Sequence, residues 1–447
     1  MRSNVDMTQG KPLTVIFSFA LPLLVGNLFN QLYNVVDTAI VGRALGADAL
    51  AAVGSTGNIN ACLFLLLGGL STGVGVIVAQ YWGAQRYEAL RRLLGTFFTL
   101  LLAGAALLSV LGVALAAPIL RLLQIPADLL GMGVTYLSIT AGLLLGNALY
   151  NAASAVLRST GDSRTPLAAM AASSLCNIVL DLWYILGLRM GVAGAALATV
   201  AAQFLSALIC LWVLWRRKEP FAFASVRLCF NSEDAALILR FGLPTALQSC
   251  MITLGGMTVQ GIVNSFGSVT MAAYTAVQRI DSLTIQVVVS VSNALAVYTG
   301  QNMGRRDIDR VRQGLRATLK ALCVICLGLA LAVFASRRLL LSIFLDPATD
   351  AASIAQGADF LSVMGFAYII AAVMNSYLNV LRGAGDVNVS LIAGLFEMGA
   401  RLAFAGLLAP RLGVWGIWLA TPLSWASGCI IPVARYYSKE WMKKALL

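Results

Sequence analysis

Long apolar runs separated by short polar breaks recur from Leu13 to the C-terminal end of the chain. About 20 consecutive apolar residues in a helix cross a bilayer core. Reading runs against breaks predicts twelve spans. Their approximate limits are 13–40, 50–80, 93–118, 131–157, 164–187 and 191–215, then 236–265, 270–300, 315–345, 355–381, 387–409 and 413–436. The longest require tilt, or extension beyond the hydrocarbon. The prediction is an all-α integral membrane fold.

The same pattern repeats at an offset of roughly 222 residues along the chain. FSFALP (17–22) resembles LRFGLP (239–244), and QYWGAQRYEALRR (80–92) resembles QNMGRRDIDRVRQ (301–313). VLRSTGD (156–162) matches VLRGAGD (380–386), and GVAGAALAT (191–199) matches GVWGIWLAT (413–421). The repeat unit is six spans. An even number preserves orientation, so the two halves are parallel repeats. The expected organisation is an N-lobe over 1–218, a polar linker over 219–234 and a C-lobe over 235–447. Two parallel lobes enclosing a cleft suit alternating access.

Composition agrees: 59% of residues are hydrophobic and 11% charged, where soluble domains average about 25% charged. The net charge of +12 does not require a nucleic-acid partner. Of 31 lysines and arginines, 23 fall on one side of the predicted spans and six on the other, with Arg279 and Arg401 inside spans. The positive-inside rule then places both termini in the cytoplasm of a multi-pass protein of the cell membrane. MRSNVDMTQGK is polar and the following apolar run is too long for an h-region, so no cleavable signal peptide is expected.

Several chemistries are excluded. The chain has no histidine, which removes His-based nucleophile pairs and most zinc sites. No GxxxxGK[ST] loop is present for ATP hydrolysis. Most of the eight cysteines lie in apolar runs, including the CxxC of Cys323 and Cys326, and read as packing thiols. No enzyme activity and no cofactor are expected.

What remains is a short list of charges at bilayer depth, each costing roughly 2.5–3.5 kcal/mol on insertion scales. CNIVLDLWYILG (176–187) places Asp181 in an apolar run, one turn after Asn177. In QLYNVVDTAIVG (31–42), Asp37 follows Tyr33 by four residues and Asn34 by three, on one helix face. The first lobe has no basic residue at that depth. Two acids without a base repel when both are ionised, so the pair suits a shared proton or a dehydrated hard cation. In the second lobe Arg279 and Asp281 of span 8 are balanced by Glu397 and Arg401 of span 11, and read as a buried salt-bridge cluster joining the two. Pro22 and Pro244 fall at matching places in spans 1 and 7. Each removes a backbone hydrogen bond and kinks its helix, and Pro22 is a candidate hinge.

These features together resemble the MATE, or multidrug and toxic compound extrusion, family over essentially the whole chain. The resemblance implies a first-lobe cation site at Asp37, Asn177, Asp181 and Thr199, with Tyr136 of span 4 joining the network. It implies antiport of H⁺ or Na⁺ against small drug-like molecules by a protein that functions as a monomer within membrane lipid. Neither span 7 nor span 10 has an acid mid-span, which sets this chain apart from the branch with a second-lobe cation site. Candidate cleft contacts are Asn30, Asn34, Gln248, Met251, Met257 and Gln260, since flexible methionines suit varied ligands. A lipid-linked oligosaccharide flippase of the same superfamily is the alternative, but it favours a cationic cleft. A major-facilitator transporter lacks support, because QYWGAQRYEALRR stands where its GxxxDRxGRR-type loop belongs.

Overall fold

A computed structural model of the protein describes residues 5–218, 220–444 and 446. Arg2, counted above on the basic side, and Glu219, first residue of the expected linker, lie outside the described residues. The described residues form thirteen α-helices and no strand. These are α1 (Pro12–Leu45), α2 (Ala47–Gly83), α3 (Tyr87–Leu122), α4 (Ala127–Gly142), α5 (Leu145–Ser159), α6 (Arg164–Asp181) and α7 (Gly191–Arg216). After the linker come α8 (Ser232–Asn264), α9 (Ser268–Gly304), α10 (Ile308–Leu341), α11 (Ala351–Ala384), α12 (Asn388–Leu412) and α13 (Val414–Tyr437).

Eleven helices are long and apolar enough to cross a membrane, and α4 with α5, bent by 44°, make up a twelfth span. The twelve predicted runs therefore each find their helix. The fourth is broken, which hydropathy did not foretell. Gly146, second residue of the second piece, stands where an added Cβ would lie 2.9 Å from the Phe204 ring of α7. The bend lets α5 press its small residues against α7.

The chain divides into two compact units. The first comprises Val25–Ala246 together with Val5, and the second Asp6–Leu24 with Leu247–Leu447. Each division inside a helix follows a proline by two residues: α1 changes unit after Leu24 and α8 after Ala246, past Pro22 and Pro244.

In the first unit, the VLRSTGD turn is fastened from several directions. Gly161 adopts φ +94, a region open to glycine at little cost, and its carbonyl accepts the Val5 N–H at 2.9 Å. Asp162 is fully buried. It accepts the N–H groups of Arg164 (3.1 Å) and Thr165 (3.0 Å) at the start of α6, and the Arg217 guanidinium at 2.5 Å. The second unit repeats the device. Gly385 has φ +100, and Asp386 accepts Arg435 Nε at 2.7 Å. The repeated Gly-Asp is thus a clamp between a turn and the end of a later helix. A near-parallel stack of Tyr274, Phe360 and Trp418, with the last two centroids 4.2 Å apart, fills the second unit's interior. All eight cysteines are free thiols.

Candidate functional site

The first unit brings the predicted acids together. Asp181 is the last residue of α6, fully buried, and Asn177 lies one turn before it, also fully buried. Beyond Asp181 the chain winds into a π-helical turn, Leu182–Gly187. Such wide turns occur frequently at functional positions, and here one follows the carboxylate directly. Asp37 reaches Asp181 from α1, with the two carboxyls in hydrogen-bond range of each other. The Oδ1 atoms of both Asp37 and Asp181 are buried and have no hydrogen-bond partner.

The surrounding groups complete the network. The neighbours of Asn177 fix its amide: the nitrogen donates to Asp181 Oδ2 at 2.7 Å, and the oxygen accepts the Thr199 N–H at 3.1 Å. The Thr199 side chain of α7 lies within hydrogen-bonding range of Tyr33 and Tyr136. No lysine or arginine figures among the groups acting on these acids and tyrosines. An apolar cluster that includes Val41, Ala49, Ile185 and Val192 packs with Tyr136 and walls the site on one side.

Not every candidate joins. Asn34 shares the Asp37 stripe by spacing, but it is exposed and donates to Asn30 Oδ1 at 3.4 Å. Spacing selects a helix face, whereas the neighbouring helix decides which residue on it is enclosed. Gln248 is buried and held by the Arg382 guanidinium, at 2.8 Å. Met251, Met257 and Gln260 are partly exposed, and Gln260 donates to Asn264 at 2.9 Å.

The second unit's charges form a smaller cluster than expected. Arg401 Nη2 and Glu397 Oε1 pair at 2.5 Å within α12, their side chains 14% and 11% exposed. Arg401 also donates to Ser424 of α13 at 3.3 Å. Asp281 lies beside Tyr368 and in the field of Arg401, with a buried, unpartnered Oδ1. Arg279 is not part of this group. It is exposed and lines a separate groove with Phe344 and Leu345. Residues two apart point to nearly opposite sides of a helix, so Arg279 and Asp281 cannot face one partner. The one ion pair here lies within α12 and does not join it to α9.

The two Gly-Asp clamps were not foreseen as ion pairs. Their signal was present in the repeated VLRSTGD and VLRGAGD, although nothing in either motif named Arg217 or Arg435 as the partner.

The MatE family model matches residues 22–183 and again 244–407. This chain belongs to the MatE family. The two matches begin 222 residues apart, the offset at which the sequence resembles itself. Members of the family are transporters and not enzymes, and this multi-pass membrane protein is one of them. Probable multidrug resistance protein YpnP of Bacillus subtilis (strain 168) is 31% identical, covering 98% of this chain and 97% of its own. Probable multidrug resistance protein YoeA of the same organism is 28% identical over 96% of this chain and 94% of its own. Among solved structures, an outward-facing multidrug resistance MATE family transporter of the MOP superfamily superposes with a TM-score of 0.90. That match covers 99% of this chain and 98% of the other at 21% identity, a likeness of fold.

Proposed function

We propose that this MatE-family transporter is an ion-coupled antiporter that exports drug-like, cationic or amphipathic small molecules by alternating access. The observation that carries this reading is the pair of carboxylates, Asp37 and Asp181, in mutual contact with no cationic side chain beside them among the described residues. A permanent basic partner would make such a pair structural. Without one, its charge is free to change as an ion arrives and leaves. The relatives named as multidrug resistance proteins support the substrate class.

The cycle runs in three steps. From the outward-open state, an ion loads between Asp37 and Asp181 and cancels one negative charge. Span 1 then bends at Pro22, and substrate leaves outward. Last, the N-lobe (1–218) and C-lobe (235–447) rock about their linker, and the ion departs to the cytoplasm. Each charge crossing the membrane draws about 2.3 kcal/mol per 100 mV of potential. The carboxylates of Asp37 and Asp181, with the amide of Asn177 and the hydroxyl of Thr199, suit either a shared proton or a sodium ion. Asn30, Asn34, Met251, Met257 and Gln260 are the proposed substrate contacts, and Gln248 positions Arg382. The 23-to-6 charge bias supports an orientation with both termini cytoplasmic, in the cell membrane. One chain carries the whole ion site, so a monomer suffices.

The test is efflux of a cationic dye from proteoliposomes, with pH and Na⁺ gradients imposed separately. One relative at 26% identity is named FAD transporter, so FAD belongs in the substrate panel. One of the two gradients, imposed alone, is expected to drive dye movement and so to name the ion, and Asp181→Asn to abolish that drive while the protein still folds. Equal gradient-driven transport by Asp181→Asn overturns the coupling reading. Drive by neither gradient overturns it as well.

A further inference from the structure

In the second unit, the first turns of α1 and the cytoplasm-proximal part of α10 border an open groove of about 910 Å³. Leu13, Phe17, Val324 and Ile325 give it an apolar floor, and Arg316 and Lys320 stand at one end. Val324 is 73% exposed and Leu13 41% exposed. Neither Arg316 nor Lys320 forms an ion pair with a described carboxylate, and Arg316 acts electrostatically on the Tyr436 hydroxyl. Lys320 is the last charge before the uncharged run 321–336, about 24 Å of helix at 1.5 Å per residue. The two cations therefore sit where hydrocarbon gives way to headgroups.

The other copy of the repeat provides an internal contrast. Matching Gln80 to Gln301 sets Gly95 opposite Arg316 and Thr99 opposite Lys320. In the first unit that face of α3 is covered by the chain itself. A Cβ on Gly95 would lie 2.7 Å from Cys229 Sγ, Asn231 N–H donates to Thr96 at 3.2 Å, and Phe223 packs edge-on against Phe98. In the second unit the corresponding face of α10 has exchanged a glycine for an arginine and is left open. An apolar trough ending in two unpaired cations, spaced i, i+4 on one face, matches an amphiphile with an anionic head. A cationic substrate would be repelled by the same two residues.

We propose that this groove binds an anionic phospholipid of the adjacent leaflet, which the charge bias reads as cytoplasmic. Arg316 and Lys320 donate to the phosphate, and the acyl chains lie along Leu13, Phe17, Val324 and Ile325. Charged hydrogen bonds to phosphate fix the head, and burial of apolar chain against these side chains holds the tail. The site is independent of the carboxylate pair, so its failure leaves the coupling mechanism untouched.

Spin-labelled phosphatidylglycerol and phosphatidylcholine compared on the full chain, in phosphatidylcholine vesicles, read the preference directly. The immobilised fraction is expected to favour phosphatidylglycerol, and Arg316→Gln and Lys320→Gln to reduce that preference by about fivefold each. Ala321→Trp fills the trough with charge unchanged and is expected to lower immobilised phosphatidylglycerol as well. Arg305→Gln with Arg306→Gln removes charge from the same end outside the groove and should leave the preference intact. No preference in the unaltered protein, or equal losses from both charge pairs, overturns the proposal. A dimeric mass in detergent that Ala321→Trp converts to monomer does the same, since a second copy then fills the groove.

Discussion

Two kinds of buried acid occur in this protein, and they differ in what answers them. Asp162 and Asp386 each accept an arginine, and Asp162 also caps a helix. Asp37 and Asp181 have only each other, an amide and hydroxyls. In the first arrangement a guanidinium balances the carboxylate, and in the second the proposed ion does so. Glu397 and Arg401 belong with the fixed class. Removing one partner strands a charge, which costs about 3–5 kcal/mol for a buried pair, whereas replacing both with apolar residues is often neutral. Glu397→Ala is accordingly expected to lower the thermal midpoint in detergent, and Glu397→Met with Arg401→Leu to recover most of it. An unchanged midpoint for Glu397→Ala would place the pair in water. The acids and Asn177 were readable from their isolation in apolar runs. The choice of Tyr33 over Asn34 was not, because both lie on one helical stripe and only α7 decides which is enclosed.

At the scale of elements, hydropathy located every helix that crosses, since each apolar stretch has to satisfy its own backbone in lipid. It missed the bend between α4 and α5 and the π-turn after Asp181. Both are answers to neighbours: α5 tilts to seat Gly146 on Phe204, and the wide turn follows the carboxylate site. Close helix contact has a similar cause on α2. A Cβ on Gly73 would fall 2.6 Å from the Gly242 Cα of α8. Gly73→Val is thus expected to destabilise by about 1–3 kcal/mol, the usual cost of overpacking. Gly104→Ala, with nothing within 4 Å of its added carbon, should melt like the unaltered protein. Equal melting of the two variants would mean that α2 and α8 do not touch at Gly73.

For the whole molecule, the internal repeat and the charge bias reinforce each other. A missed or extra span would invert the second half and scatter its arginines to both sides. In a cysteine-free background, Ser225→Cys in the linker is expected to react with a membrane-impermeant maleimide only in everted vesicles. Ala348→Cys, between α10 and α11, is expected to react in intact cells. The reverse pattern would invert the protein in its membrane and reverse the direction of the proposed antiport. The repeat is less faithful in detail. One copy covers a helix face with its own linker, and the other leaves it open beside two cations.

The sequence alone determined the number of spans, their bias across the membrane, the duplication and the identities of the buried acids. All of these follow from transfer free energies, which act residue by residue and need no partner to be known. Tertiary structure decided what each buried polar group meets: that Asp37 touches Asp181, that Asn177 turns its nitrogen to the carboxylate, that Arg279 stands apart, and that Asp162 and Asp386 find their arginines. Those outcomes depend on where helices cross, and crossing is set by packing between side chains far apart in the chain.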